Sequence, residues 1–316
     1  MFKHLLVAGF LLLGSLSSLA GEERNILQKA FENVDIAPTL VVDQSWVPYP
    51  VYSDREGWGE LVGEFSSALI NLGEQSLSYQ WKDITDDDYL AYTVSGDRNV
   101  MEDKLHGNSG TLGRLLIAEL VEGEGRFIDD IVRGVDWFCH VRSWAVSAHL
   151  AKYQRSKSPL PDPSENILAL FQGNISQLLS WTWYFLHDEI DAKSPGLSQN
   201  LRDALQERAL DPYMEREDFW WMGFDRSSGK KMNNWNPWCN QNELLCFMLL
   251  ENNPEVLARA IDKSILSIDK YLDDVAADGA CDEGTTYWYK STGHLLDYLE
   301  NLERISSGRL TAWDNP

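Results

Sequence analysis

The stretch ILALFQGNISQLLSWTWYF, residues 167–185, carries its apolar side chains at the spacing of an α-helix. These side chains recur every three or four residues: Ile167, Leu168, Phe171, Ile175, Leu178, Leu179 and Phe185. A repeat of this period predicts a helix with an apolar face. Pro161-Asp162-Pro163-Ser164 precede the stretch and supply a helix start signal. The sequence therefore predicts a long helix here.

The same period recurs on both sides of this stretch and predicts further helices. The apolar sets are Leu112, Leu115, Leu116 and Leu120; Leu197, Leu201 and Leu205; Val256, Ile261, Ile265, Ile268 and Leu272; and Leu295, Leu299, Leu302 and Ile305. The sequence has no alternating runs joined by hairpin turns, so the pattern favours an all-α class. Several helices are apolar over more than one stripe, which predicts a layered bundle or an α/α toroid with loops around a central cleft.

The two ends of the chain carry features of processing and of truncation. Residues 1–20, MFKHLLVAGFLLLGSLSSLA, combine Lys3, an apolar run and a small-x-small site, so we predict a signal peptide cleaved near Ala20. The protein would then be secreted or periplasmic, with residues 21–316 as one domain. No later stretch is long and apolar enough to span a membrane. The chain stops at LTAWDNP, residues 310–316, without a capping element, and we expect a domain truncated at its C-terminal end.

Charge and cysteine content exclude several classes of protein. The formal net charge of −22 argues against nucleic-acid binding, which needs a basic surface. Four cysteines without a CxxC pair give little support to a zinc cluster, and we expect neither a metal nor a cofactor. A Cys239–Cys281 disulfide is one hypothesis, and four small buried thiols are the other.

The segment NNWNPWCNQN, residues 233–242, concentrates amides and indoles. Asparagine favours turns and helix caps, so we interpret Asn240 and Asn242 as loop and cap residues before a helix at residues 243–250. Asn233 and Asn234 follow two lysines and precede two tryptophans. Such amides can stabilise a negative charge without being titrated themselves.

A second segment, residues 278–299, places Tyr287, Tyr289, Lys290 and His294 at the start of the last predicted helix, with Glu283 just before it. A tyrosine can act as a general acid or base where a cation lowers its pKa. The alternative is that Tyr287 and Trp288 are core aromatic residues. We interpret His294 as structural.

A third segment, residues 135–150, carries His140 and His149 in one predicted helical stretch. Nine residues separate them, which places them on opposite faces of a helix and argues against a shared metal. The sequence lacks GxSxG, HExxH and a phosphate-binding glycine loop, so the commonest hydrolase, zinc-protease and nucleotide classes are excluded.

Four segments together resemble the heparinase II/III-like polysaccharide lyases. They are TVSGDRNVMEDKL (residues 93–105), SWAVSAHLAKYQR (143–155), DFWWMGF with NNWNPWC (218–239) and DGACDEGTTYWYKSTGHLLDYL (278–299). The resemblance covers most of the predicted mature chain. It implies an α/α toroid that precedes a β-sandwich, and cleavage of uronic-acid polysaccharides such as glycosaminoglycans by β-elimination.

The resemblance also implies a role for each site residue. Elimination removes the C5 proton of a uronate, so the C6 carboxylate must be stabilised and the 4-linked oxygen protonated. Asn233, or alternatively Asn234, would neutralise the carboxylate, and Tyr287 would donate or relay the proton. The substrate-binding residues would be His149, Arg142, Arg226, Lys230, Lys231, Trp235 and Glu283.

Two departures from the family and three alternatives remain. Trp235 stands where some relatives have a histidine, and no β-sandwich follows, so we expect a weak or inactive lyase. The first alternative is an alginate or oligouronide lyase. The second is a toroid glycosidase that uses two carboxylates from Asp218, Asp225, Asp282 and Glu283. The third is a non-catalytic glycan-binding remnant.

Overall fold

The computed structural model describes residues 23–150, 153–154, 157–276, 278–281 and 283–313. The predicted signal peptide lies outside these residues. The described residues contain α-helices and no strand, which confirms the all-α prediction. The helices are α1 Ile26–Phe31, α2 Arg55–Val62, α3 Ser66–Glu74, α4 Asp86–Ser95, α5 Asn99–Glu122, α6 Ile128–His140, α7 Ser147–Leu150, α8 Leu170–Lys193, α9 Leu197–Leu205, α10 Asp211–Glu215, α11 Trp235–Leu250, α12 Pro254–Asp274 and α13 Thr285–Ile305. No helix in this part of the chain is long and apolar enough to cross a membrane.

Helix α11 is the centre of the fold. From Asn236 to Leu250 every residue is buried except the partly exposed Trp238. The helix packs against α8, α12 and α13, so it has no face that is left to water along most of its length. Because α11 is buried on all sides, its sequence lacks the one-sided apolar pattern of a surface helix.

The interpretation of Asn240 and Asn242 as loop and cap residues is wrong, because α11 begins at Trp235 and contains both. The Tyr213 hydroxyl donates to Asn240 Oδ1 at 2.8 Å, and Asn240 Nδ2 donates to Ser267 Oγ at 2.8 Å. Asn242 Nδ2 donates to Asn174 Oδ1 at 2.9 Å. The helix propensity of asparagine is lower than that of alanine by only about 0.7 kcal/mol, so a few buried hydrogen bonds outweigh it.

Asn236 joins three parts of the fold. Its Nδ2 donates to the Trp221 carbonyl at 2.7 Å and to the Ser267 carbonyl at 2.9 Å. The Ser267 hydroxyl in turn donates to the Met222 carbonyl at 2.9 Å. These bonds hold the first turn of α11 against α12 and against the Trp220–Met222 turn that precedes the candidate site.

The predicted long helix is present as α8, but it starts three residues later than its apolar pattern. Ile167 and Leu168 are buried in the extended segment before it. The Ala169 N–H donates to Gln172 Oε1 at 3.0 Å, and this side chain closes the start of the helix. The predicted leucine face of α5 is confirmed, because Leu112, Leu115, Leu116 and Leu120 are all buried.

An extended N-terminal segment crosses the ends of α11 and α13. The Val41 N–H donates to the Ile305 carbonyl at 2.8 Å, and Gln44 Nε2 donates to the Leu249 carbonyl at 3.3 Å. These contacts place residues 46–49 beside α8 and α11.

The Cys239–Cys281 disulfide hypothesis is wrong, since all four cysteines are free thiols. Cys239 and Cys246 are buried within α11, whereas Cys139 and Cys281 are partly exposed. Cys281 lies in the loop before α13, so the four thiols do not share one environment. The hypothesis of four buried thiols holds for the two on α11 only.

We predict that Asn236→Ala lowers the free energy of unfolding by about 1–3 kcal/mol, because the buried Trp221 carbonyl loses a hydrogen-bond donor. Urea unfolding followed by circular dichroism measures the change. Asn200→Ala, at an exposed position of α9, is the matched control and should change stability by no more than about 0.7 kcal/mol. Equal effects of the two substitutions would contradict the proposed role of Asn236.

Candidate functional site

The start of α11 presents three N–H groups that converge on one carboxylate. Asn233 Nδ2 donates to Glu283 Oε1 at 3.2 Å, while Asn234 donates to Glu283 Oε2 from its backbone N–H at 3.4 Å and from Nδ2 at 2.6 Å. We call the three N–H groups the amide cradle. The resemblance to the lyases assigns Asn233 and Asn234 to the carboxylate of a substrate. In the structure both donate to Glu283, a carboxylate of the protein itself.

The orientation of the cradle is fixed by local structure. Asn233 Oδ1 accepts the Trp235 N–H at 3.2 Å, which turns its Nδ2 toward Glu283. Asn234 is only 1% exposed, so its side chain is held by packing. The cradle also lies at the N-terminus of α11, where the helix dipole favours a negative charge.

A cavity of about 270 Å³ opens beside the cradle. Its walls are the end of α12, the loop residues 279–281 and 283, and the first turns of α13. Trp288, Thr292 and Leu295 face this cavity from α13, and Tyr287 is not among its lining residues. Sequence reasoning missed Trp288 as a wall residue, although its spacing to Thr292 and Leu295 is that of one helix face.

The aromatic residues at the start of α13 are exposed. The exposed fraction is 43% for Tyr287, 49% for Trp288 and 74% for Tyr289. The alternative that Tyr287 and Trp288 are core residues is therefore wrong. Residues 283–289, which include the first turn of α13, are all exposed, so no described element covers this turn. Tyr287 stands four residues after Glu283, with its phenol accessible to a large substrate.

The predicted cations are only partly gathered at the cradle. Arg226 donates to Asp274 Oδ1 at 2.5 Å, and this ion pair compensates its charge beside the cavity. Lys230 Nζ lies 4.0 Å from the centre of the Trp220 ring, and Lys231 lines the cavity. Arg142 pairs with Asp86 at 2.9 Å in a different pocket. The site therefore binds negative charge mainly through neutral amides.

His149 and Trp235 form an aromatic group at the start of α11. The His149 ring stacks on Phe171 with centroids 5.7 Å apart, and its centroid lies 4.6 Å from that of Trp235. Burial, together with the charge of Arg98, lowers the pKa of His149 to about 4. His149 Nδ1 has no hydrogen-bond partner among the described residues. A neutral imidazole of this kind can donate or accept a hydrogen bond.

The prediction that His140 and His149 share one helical segment is wrong. Helix α6 ends at His140, and α7 starts at Ser147, so the two imidazoles lie on different helices. After α6 the backbone is extended at Val141, and the buried Trp144 in this connection donates from Nε1 to the Phe138 carbonyl at 2.9 Å. Within the part of the chain that the structure describes, no three His, Cys, Asp or Glu side chains form a metal-binding group.

His294 joins α13 to α11. Its ring stacks on Trp238 with centroids 4.6 Å apart, and its Nδ1 lies 3.2 Å from Gln241 Oε1. Burial, with a smaller contribution from Lys290, lowers the pKa of His294 to about 4. These contacts agree with the structural interpretation of this residue.

No known protein-family model matches the sequence, and no curated protein is significantly similar to it. The interpretation of the site therefore rests on its geometry and chemistry.

We predict that the buried imidazole of His149 makes the protein less stable in mild acid. The pKa of His149 is about 4 in the folded chain, below its ordinary value of 6.5. Between these values the unfolded chain binds a proton that the folded chain does not. The free energy of unfolding therefore falls as the pH falls through this range, by at most about 1.4 kcal/mol per pH unit.

Urea unfolding at about pH 7 and about pH 5 measures this loss. His149→Gln should lose less stability between the two pH values than the wild type, whereas His140→Gln, at an exposed site, should lose as much. Burial raises the pKa of Glu243 to about 8, which gives a slope of opposite sign that is common to all three proteins. Equal losses in His149→Gln and the wild type would contradict the prediction.

Proposed function

We propose that this protein binds a uronic-acid polysaccharide through the amide cradle and cleaves it by β-elimination. The observation that carries the proposal is the convergence of three N–H groups from Asn233 and Asn234 on a carboxylate. A uronate presents the same group. Amide N–H donors keep their protonation state at every pH of interest, so they can stabilise the charge that develops on C6 when the C5 proton is removed.

Tyr287 is the residue that we assign to proton transfer. Its phenol is 43% exposed, and the residue follows Glu283 by four positions in the chain. In the proposed reaction the C5–H bond breaks, a double bond forms between C4 and C5, and the C4–O bond to the leaving sugar breaks. Tyr287 relays the proton: its hydroxyl donates to the leaving oxygen, and its phenolate takes up the proton released from C5, so the phenol is restored.

Glu283 must leave the cradle before a substrate carboxylate enters. This competition is internal to the chain and therefore lowers the apparent affinity for the substrate. It supports the expectation of weak activity, and it equally supports a glycan-binding protein that performs no chemistry. A glycosaminoglycan and an alginate-like oligouronide both carry the required carboxylate, and the cradle fits either.

A toroid glycosidase is a poorer fit to the geometry. Both carboxylate oxygens of Asp218 accept from Arg216 at 2.9 Å, and hydrogen bonds from Ser227 lower the pKa of Asp225. The lowered pKa of Asp225 is the opposite of the raised pKa that an acid catalyst needs, and Asp218 is held by Arg216. Asp282 lies outside the described residues.

We further propose that the helices form an α/α toroid in a protein that is exported after removal of residues 1–20. The packing of α11 against α8, α12 and α13 supports a layered helical arrangement. The apolar run after Lys3 supports the export signal.

We predict that incubation of the chain with heparin, heparan sulfate, hyaluronan or alginate produces 4,5-unsaturated uronates, and that their absorbance rises with time. Tyr287→Phe should lower this rate about 100-fold or more, because general acid–base catalysis contributes at least that factor. Tyr289→Phe removes a neighbouring exposed hydroxyl and should keep the wild-type rate. No absorbance rise from protein that circular dichroism shows to be folded would reject elimination and leave binding as the function.

We predict that Glu283→Ala binds an oligogalacturonate about tenfold more tightly than the wild type, because the cradle no longer holds an internal carboxylate. Isothermal titration calorimetry measures the affinity. Glu124→Ala removes one exposed negative charge elsewhere and is the matched control for net charge. Adding Asn234→Ala to Glu283→Ala should abolish the gain. Binding by Glu283→Ala that is no tighter than binding by Glu124→Ala would contradict the assignment of the cradle.

A further inference from the structure

A second cavity, which we call the α8–α13 groove, lies between α8, α11, α13 and the extended segment at residues 46–49. It encloses about 370 Å³, within the range of about 300–1,000 Å³ that is usual for small-molecule sites. No lining residue is shared with the cavity beside the amide cradle. The proposed lyase reaction uses none of its residues.

One wall of the groove is aromatic. Tyr49 is 45% exposed, and its ring meets Trp181 edge to face with centroids 5.6 Å apart. Trp181 is stacked in turn on Phe185 at 5.5 Å. The packing fixes the positions of these rings. Fixed aromatic surfaces bind the C–H faces of sugar rings with little loss of side-chain entropy.

Trp46 and Gln241 carry N–H donors and line the groove, and the Trp46 donor is buried without a partner in the described part of the chain. Trp46 is 6% exposed, and its Nε1 makes no hydrogen bond. Gln241 is 3% exposed; its Oε1 bonds to His294, and its Nε2 makes no hydrogen bond to any other described residue. A buried donor without a partner costs about 1–3 kcal/mol, and a ligand oxygen would recover that energy.

The acceptors of the groove disfavour an acidic ligand. Asp297 makes neither a hydrogen bond nor an ion pair with any described residue, while Glu300 pairs with Arg304. Burial and the charge of Glu300 both raise the pKa of Asp297. A second negative group in this space would meet the same repulsion. The groove instead offers N–H donors, a carboxylate acceptor and an aromatic wall, which together match a neutral ring rich in hydroxyl groups.

We propose that the α8–α13 groove is a second saccharide-binding site that takes neutral pyranoside units. Trp46 and Gln241 donate to hydroxyl oxygens of the sugar, Asp297 accepts from its hydroxyl groups, and Tyr49 with Trp181 contacts its C–H face. The site is chemically opposite to the amide cradle, which takes a carboxylate. It operates whether or not the chain is a lyase.

Saturation-transfer NMR and isothermal titration calorimetry on the full chain test the proposal with neutral gluco-, galacto-, manno- and xylotetraoses, and with tetragalacturonate as the acidic probe. At least one neutral tetrasaccharide should bind with a Kd below about 10 mM, and tetragalacturonate should not displace it. Tyr49→Ala and Asp297→Asn should each weaken this binding about tenfold. Phe65→Ala and Asp188→Asn are the matched controls, because both residues are exposed outside the groove and should leave affinity unchanged.

Three results would overturn the proposal. They are no binding of any neutral tetrasaccharide by folded protein, displacement of the neutral ligand by tetragalacturonate, or groove variants that bind as well as their controls. Thermal unfolding of each variant separates loss of binding from loss of fold. Glu283→Ala should leave neutral-sugar affinity unchanged, so failure at the cradle and failure at the groove are distinguishable.

Discussion

The burial of α11 is the constraint on which the rest of the structure depends. A helix without a solvent face must find partners for its polar groups internally, and the Nδ2 groups of Asn236 and Asn240 do so through Ser267 of α12. This fixes the N-terminus of α11 against the end of α12. There, Asp274 accepts the Met232 N–H at 2.7 Å and positions the irregular segment that leads to Asn233. The core hydrogen bonds therefore set the geometry of the amide cradle, and a shift of α11 would displace the core and the site together.

The chemistry of the cradle fits a strongly acidic protein. Arg226 and Arg142 are engaged by Asp274 and Asp86, so neither offers an uncompensated positive charge to a ligand. Neutral amides at a helix N-terminus bind a carboxylate through hydrogen bonds and the helix dipole, without a cation that nearby acids would neutralise. Glu283 shows that the cradle accepts a carboxylate. Glu283 also lowers the apparent affinity for an external carboxylate, which must compete with a carboxylate that is tethered to the same chain.

The cradle and the α8–α13 groove divide the surface of α13 by chemistry. The first turns of the helix border the space into which the amide N–H groups point, and its later turns carry Asp297 and Glu300. Tyr287 and Asp297 are ten residues apart, which corresponds to about 15 Å along the helix axis. Donors dominate at one end and acidic acceptors at the other. Under the two proposals above, one helix would present two sugar-binding surfaces with opposite preferences for ligand charge.

Periodicity in the sequence determined that α5, α8, α9, α12 and α13 exist, because a helix face depends on residues three and four apart. The amide-rich segment likewise indicated donors for a negative charge, and the resemblance to the lyases assigned Asn233 and Asn234 to a carboxylate. Only the tertiary structure decided that Asn240 and Asn242 lie inside a helix, since their partners Tyr213 and Asn174 are 27 and 68 residues away. It also decided that Glu283, 49 residues beyond Asn234, fills the cradle, and that Tyr287 is exposed. Local spacing encodes local structure, whereas the partner of a buried amide or carboxylate is fixed by packing between distant segments, which no short stretch of sequence contains.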